Sequence, residues 1–244
     1  MGIRRGSIST PIIADGLVLN MDAANRASYP VQRTLTIAES GSCYNTLDLT
    51  QSGSFISDPQ FITQPVSASC WAFDGIDDKI DTGITTTGTN DVSISCWIKT
   101  TQTFVYTLTK CAFGGKNNTF GDNYTIGRLG SDVFNPNDMR VRVWNTLGTT
   151  KLNDDNWHNI IYTWDYSTGE LKAYVDGNTT AEATTTVFAS TSYTIAIGWN
   201  GFNDVYNFEG LISNAQMYYR VLSSNEVLHN YNALKSRFGL WVEE

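Results

Sequence analysis

The sequence predicts an all-β protein: a two-sheet antiparallel jelly-roll sandwich with one short C-terminal helix. Three observations carry this. Short stretches alternate apolar and polar residues with the period of a half-buried strand. Thr, Ser, Asn and Gly fill the intervals between them. A helix start signal followed by an apolar stripe occurs near the end of the chain and nowhere else. Many short strands at regular spacing, joined by Gly- and Asn-rich turns, pack as a sandwich or jelly roll.

Taken in order, residues 12–21 and 92–99 alternate and read as strands. In the second, Cys96 shares parity with Val92, Ile94 and Ile98 and reads as a small core hydrophobe. Residues 140–144 place two arginines on one face and Val141 and Val143, with Met139, on the other. Residues 159–164 and 170–175 flank Asp165-Tyr166-Ser167-Thr168-Gly169, a hairpin turn by composition, and Asp176-Gly177 closes the second of them. Strands at 194–198 and 210–218 complete the set. The helix falls at 223–235, where Ser223 and Glu226 make a capping box and Val227, Leu228, Tyr231 and Leu234 make the stripe. No linker or internal repeat divides the chain, so the reading is an N-terminal arm, residues 1–13, and one domain, residues 14–244.

Composition narrows the functions. With 41% hydrophobic and only 16% charged residues the chain can bury a large core. Its net charge of -8 and scattered cations make a poor phosphate-tracking surface, so no nucleic acid is expected as partner. No apolar run reaches the roughly 20 residues of a membrane span, and none of signal-peptide length follows Met1, so no membrane partner or secretory route is expected. The four cysteines (Cys43, Cys70, Cys96 and Cys111) lack zinc-like spacing and are expected to be reduced, with one disulfide as the alternative.

Several motifs, in order, resemble those of the laminin-G-like, concanavalin-A-like jelly rolls. Phe73-Asp74-Gly75-Ile76-Asp77-Asp78-Lys79-Ile80 is similar to their "FDGxDDYV", and residues 92–99 to "FTISxWVK". Trp157 to Asp165 is similar to "WHHVAxTYD", Tyr174-Val175-Asp176-Gly177 to "YVDG", Ile197-Gly198 to the following "IG", and Phe208 to Ile212 to "FxGxI". The opening stretch Gly16 to Asn25 and the closing one, Asn230 to Gly239, resemble laminin-G-like proteins of tailed bacteriophages, especially marine ones. The resemblance implies a virion structural protein, assembled in the host cytoplasm. Its role would be capsid decoration or accessory protein, and its partners other virion proteins, copies of itself or host surface glycans. The alternatives are a tail- or fibre-associated adhesion protein and a free-standing carbohydrate-binding lectin.

Three kinds of site are expected. Glycoside hydrolases with this fold set two carboxylates on one strand face, and no glutamate here is followed two residues later by a carboxylate. The chain therefore reads as non-enzymatic, with His158 and His229 explained by their places in a strand and a helix. Asp74, Asp77 and Asp78, with Asp81 close by, could hold calcium, although a solvated Asx-rich turn is preferred. Many relatives carry an Asp after the "FxGxI" isoleucine, where Ser213 stands here. Trp199, Asn200, Phe202, Asn203, Asp204 and Tyr206 combine aromatic platforms with amide and carboxylate groups suited to a sugar ring; a loop of this kind could equally cap the sandwich edge or pack on a neighbouring subunit. Arg4 and Arg5 of the arm, and Trp241 of the terminal segment Phe238 to Val242, are expected to contact another chain. Folding back onto the chain's own domain is the alternative.

Overall fold

A computed structural model describes residues 11–25, 42–57, 59–62, 69–87, 89–103, 109–116, 126–132, 135, 137–187, 192–199 and 206–240. The first strands are β1 (Leu17–Asp22), β2 (Ser42–Asn45), β3 (Asp48–Ile56), β4 (Gln60–Ile62), β5 (Cys70–Asp74), β6 (Lys79–Thr86), β7 (Val92–Lys99) and β8 (Lys110–Lys116). They are followed by β9 (Ile126–Gly130), β10 (Arg140–Val143), β11 (Thr146–Leu147), β12 (His158–Trp164), β13 (Glu170–Val175), β14 (Ala183–Thr186), β15 (Tyr193–Ile197) and β16 (Glu209–Tyr218). Helix α1 (Ser224–Leu234) runs into a 3-10 turn, Lys235–Phe238.

The strands form two antiparallel sheets. One has the order β14-β13-β12-β7-β16-β5-β4, with β1 also paired to β16; the other runs β11-β10-β9-β8-β15-β6-β3-β2. Their inner faces share one apolar core. Ile94, Cys96 and Ile98 of β7, Ile160 of β12 and Met217 of β16 meet Ile80, Phe113, Leu129, Val141 and Ile197 from the second sheet. Phe73 joins them. The alternation that predicted β7, β12 and β16 marks these inward positions correctly. All four cysteines are buried free thiols. Burial pushes the Cys43, Cys70 and Cys111 thiols up to about 12, far from reactive thiolates.

Three expectations change. The first strand begins at Leu17, not Ile12, because Asp15-Gly16 turns the chain (Gly16 φ 71°) and Leu17 N–H donates to the Ala14 carbonyl at 3.1 Å. Residues 42–62 carry strands that alternation did not signal, and β8, β9 and β14 were also missed; Gly-, Ser- and Thr-rich strands give little apolar contrast. The third change concerns α1. Its capping box forms as expected, with Ser223 N–H donating to Glu226 Oε2 at 2.8 Å. Its buried face, however, is Val227, Asn230 and Ala233, while Leu228 is 38% exposed.

The reason lies beneath the helix. α1 covers the outer face of the first sheet, where apolar and polar groups are mixed: Val227 packs with Ile161, Tyr174, Tyr218 and Leu222, and Asn230 finds polar partners beside them. Asn230 Nδ2 donates to the Tyr218 hydroxyl at 3.0 Å, and its Oδ1 accepts from Ile13 N–H at 2.8 Å. Trp97 is 0% exposed and stacks between Tyr231 and Phe238, with ring centroids 5.5 and 4.1 Å away. Two bidentate pairs fasten this layer: Arg220 to Glu226 (2.9 and 2.7 Å) and Arg237 to Asp22 (2.8 and 2.7 Å). The Arg220 hydrogen bond holds the Glu226 carboxyl down at about 2.

Candidate functional site

At one end of the sandwich, β5 and β6 are joined by a tight turn. Gly75 reverses the chain at φ 77°, and a Cβ there would meet Glu209 Cβ at 2.8 Å. Asp74 Oδ1 accepts from Ile76 N–H (2.8 Å) and Asp77 N–H (3.4 Å), while Asp78 Oδ2 accepts from Asp74 N–H (2.8 Å). This is the hydrogen-bond pattern of an Asx-rich turn. Asp74, Asp77 and Asp78 each still bring one carboxylate oxygen within 4.8 Å of the others, and these are the groups that could face a hard cation. Asp81 stands apart on β6, where its Oδ1 accepts from Gly83 N–H at 2.9 Å. The cluster is therefore three residues rather than four. Ser213, at the position where many relatives carry an Asp, is fully buried and donates to the Ser69 carbonyl at 2.8 Å, so it contributes nothing to the turn.

The same turn meets the aromatic segment. β15 ends at Ile197, and Gly198 follows at φ 82°. A Cβ at Gly198 would lie 2.5 Å from the Phe73 ring and 3.2 Å from the Asp78 carbonyl, so only glycine lets this strand end press against the turn. Trp199 comes next, and the Lys79 ammonium sits 4.2 Å from its ring centroid. On the far side of the segment Asn207, 0% exposed, donates from Nδ2 to the Ile76 carbonyl at the turn's tip. Two patterns that were separate in the sequence thus become one place. Ile76 crowns it, 70% exposed. Tyr206 is partly buried; Asn200, Phe202, Asn203 and Asp204 lie outside the described residues.

The supports of this site were not foreseen. Gln102 is buried behind it, donating from Nε2 to the Asn207 carbonyl (3.4 Å) and accepting Glu209 N–H on Oε1 (3.1 Å). Asn153 Nδ2 donates to the Gln102 carbonyl at 2.9 Å, and Thr100 Oγ1 to the Glu209 carbonyl at 2.6 Å. Uncharged polar residues in unpatterned loops carry no sequence signal of such roles. Lys79 had one: it follows the Asp turn directly.

A family model described as the concanavalin A-like lectin/glucanases superfamily matches residues 74–228, a stretch that takes in both the Asp turn and Trp199. The chain belongs to this superfamily. No curated protein sequence matches this concanavalin A-like chain. Its fold is similar to that of domain 4 of AbnA, an extracellular arabinanase from Geobacillus stearothermophilus, solved in complex with arabinotriose. The two share 18% identity at a TM-score of 0.52, over 88% of this chain and 98% of that one. Trypanosoma rangeli sialidase is similar over 95% of this chain but only 37% of its own, at 12% identity and a TM-score of 0.61. The binding domain of Paraclostridial Mosquitocidal Protein 1 matches at 12% identity and a TM-score of 0.56, over 89% of this chain and 52% of that one. Identities this low speak for the fold alone.

Several titratable groups among the described residues of this concanavalin A-like fold are engaged in structure. Glu170 pairs with Lys172 (2.7 Å), Glu182 accepts the backbone N–H groups of Thr149 and Thr150, and Glu226 is held by Arg220. His158 has both ring nitrogens against carboxylates, and His229 Nε2 lies 2.8 Å from the Pro11 carbonyl. That last contact, with the Ile13–Asn230 bond, ties the end of the arm to the chain's own helix. Phe238, expected to dock on another chain, is instead 9% exposed against Trp97 and Trp157, because a flat ring stack is available inside its own fold. Arg4, Arg5 and Trp241 lie outside the described residues.

Proposed function

We propose that this chain is a non-enzymatic, glycan-contacting jelly roll displayed on a bacteriophage virion, as a capsid decoration or accessory protein. The observation that carries the glycan reading is Trp199, held beside the Asp74–Asp78 turn and under the Lys79 ammonium. An indole offers an apolar face to a sugar ring, and the surrounding carboxylates are acceptors for its hydroxyl groups. The solved relative bound to arabinotriose supports the class of ligand.

The virion reading is supported by the sequence resemblance of the opening and closing stretches. In the fold those stretches meet: Arg237 of the second grips Asp22 of the first with two hydrogen bonds. Residues 14–244 act in this reading as one module, with residues 1–13 as its arm. Its partners are other virion proteins or copies of itself, and it is assembled in the host cytoplasm.

Two measurements test the two halves separately. Purified particles should contain the chain at a fixed ratio to the major capsid protein; particles without it overturn the virion reading. A glycan array should show binding by the isolated chain that Trp199→Ala abolishes. An array with no binding, or binding untouched by that substitution, overturns the glycan reading.

A further inference from the structure

His158 opens β12 and is 8% exposed. Its Nδ1 lies 2.7 Å from Asp176 Oδ2 and its Nε2 lies 3.1 Å from Asp154 Oδ1. A carboxylate can only accept, and a neutral imidazole carries one N–H, so both contacts are hydrogen bonds only when the ring holds two protons. We propose that His158 is a pH-sensitive clasp: as an imidazolium it ties the 154–157 loop to the turn after β13, and loss of one proton releases that loop.

The two sides of the clasp are unequal. Asp176 is locked in place. Its Oδ1 accepts Asn159 N–H at 2.8 Å, its own N–H donates to the Asn159 carbonyl at 2.9 Å, and it holds φ 51°. Gly177 beside it packs so closely under Tyr231 of α1 that a Cβ would come within 2.6 Å of the ring. Among the described residues, Asp154 is held only within its own loop, by Asn156, and by His158. The proton that remains on a neutral ring stays with the shorter Asp176 bond, and Asp154 then faces a lone pair. The loop it anchors carries Asp155, 3.5 Å from Lys99 Nζ, and Trp157, whose ring centroid is 4.8 Å from that of Phe238. Opening the clasp therefore loosens the seat of the C-terminal 3-10 turn.

Among the described residues, the charged and titratable groups around the clasp are Asp154 and Asp155 of the loop, Asp176 of the turn, Lys99 of β7 and Tyr231 of α1. Burial acts against the ring's second proton, but the carboxylates, Asp176 ahead of Asp154, outweigh it and set the net shift upward. A histidine raised in the folded state stabilises the fold fully below its ordinary value of about 6.5, and that contribution is lost as pH rises through the raised folded value.

The test is a nitrogen-detected NMR titration of the His158 ring in the full chain, with amide exchange followed across residues 154–157. At pH of about 6.5 both ring nitrogens should carry protons. Once the ring neutralises, exchange of the loop amides, corrected for its intrinsic pH dependence, should rise about tenfold relative to β12, and Asp154→Asn should remove that rise. A ring already neutral at about pH 6.5 overturns the clasp. So does wild-type loop protection that stays constant through the titration, or an Asp154→Asn chain that keeps the full rise.

Discussion

Strand β7, central in the first sheet, is buried on both faces, and the two faces are built from different chemistry. Inward, Ile94, Cys96 and Ile98 meet apolar residues of the opposite sheet. Outward, the alternate positions of the same strand, Ser93, Ser95 and Trp97, lie under α1 and the 3-10 turn with Asn159, Gln216 and Tyr218 from neighbouring strands. The inner layer is held by apolar burial and close packing. The outer layer combines a small apolar cluster of Ile161, Tyr174, Tyr218, Leu222 and Val227 with hydrogen bonds, two bidentate ion pairs and one aromatic stack. A serine on an alternating strand is thus no sign of exposure: Ser93 Oγ donates to the Arg220 carbonyl (2.7 Å) and accepts Leu222 N–H (2.9 Å), entirely within this covered layer.

The contrast can be broken by substitution. Trp97→Ala should have the largest effect, about 3–5 kcal/mol in denaturant unfolding, because it empties the stack on which Tyr231 and Phe238 rest. A small loss would mean that the outer layer contributes little. On the inner face, Ile94→Ala should cost about 2–5 kcal/mol; a negligible shift of the midpoint would place that strand face wrongly. Ser95→Ala, one residue along but facing outward, should cost only about 1 kcal/mol. Its Oγ accepts one bond from Asn159 Nδ2, and that amide keeps a second partner in the Cys96 carbonyl, 3.2 Å away. If Ser95→Ala proves as damaging as Ile94→Ala, the two layers are not distinct in kind.

Acid separates the layers further. The Glu226 carboxyl is held at about 2, so its contribution is complete above the ordinary carboxylate value and is lost as pH falls through about 2. Melting temperature should drop across that window, and Glu226→Gln should flatten the drop. The inner layer has no such dependence. The smallest effect is expected at the Asp74–Asp78 turn, outside both layers. Since its own N–H groups satisfy Asp74 and Asp78, excess chelator should leave the melting curve unchanged. A fall in melting temperature that calcium restores would make the turn a third source of stability.

Local pattern was enough to read much of this protein. Alternation placed β7, β12, β13, β15 and β16, and the Ser223–Glu226 capping box placed α1, because each depends on residues a few positions apart. The ordered motifs placed the superfamily. Cys96 was legible as a core residue from parity alone. Legibility stopped where partners are distant in the chain. Leu228 completes a good apolar stripe and is nonetheless exposed, because the surface under α1 offers Tyr218 and favours Asn230 on the buried face.

By itself, then, the sequence determined the strands with apolar contrast, the start of the helix and the acidic turn after β5, since these follow from neighbouring residues and backbone preferences. Only the tertiary structure decided that the Asp turn and Trp199 share one end of the sandwich, that Gln102 braces them, and that His158 lies between Asp154 and Asp176. Each of those contacts depends on strand order, register and the twist that brings strand ends together. The physical reason is that hydrogen bonds and packing act over a few ångströms in space, whereas pattern reports only distance along the chain.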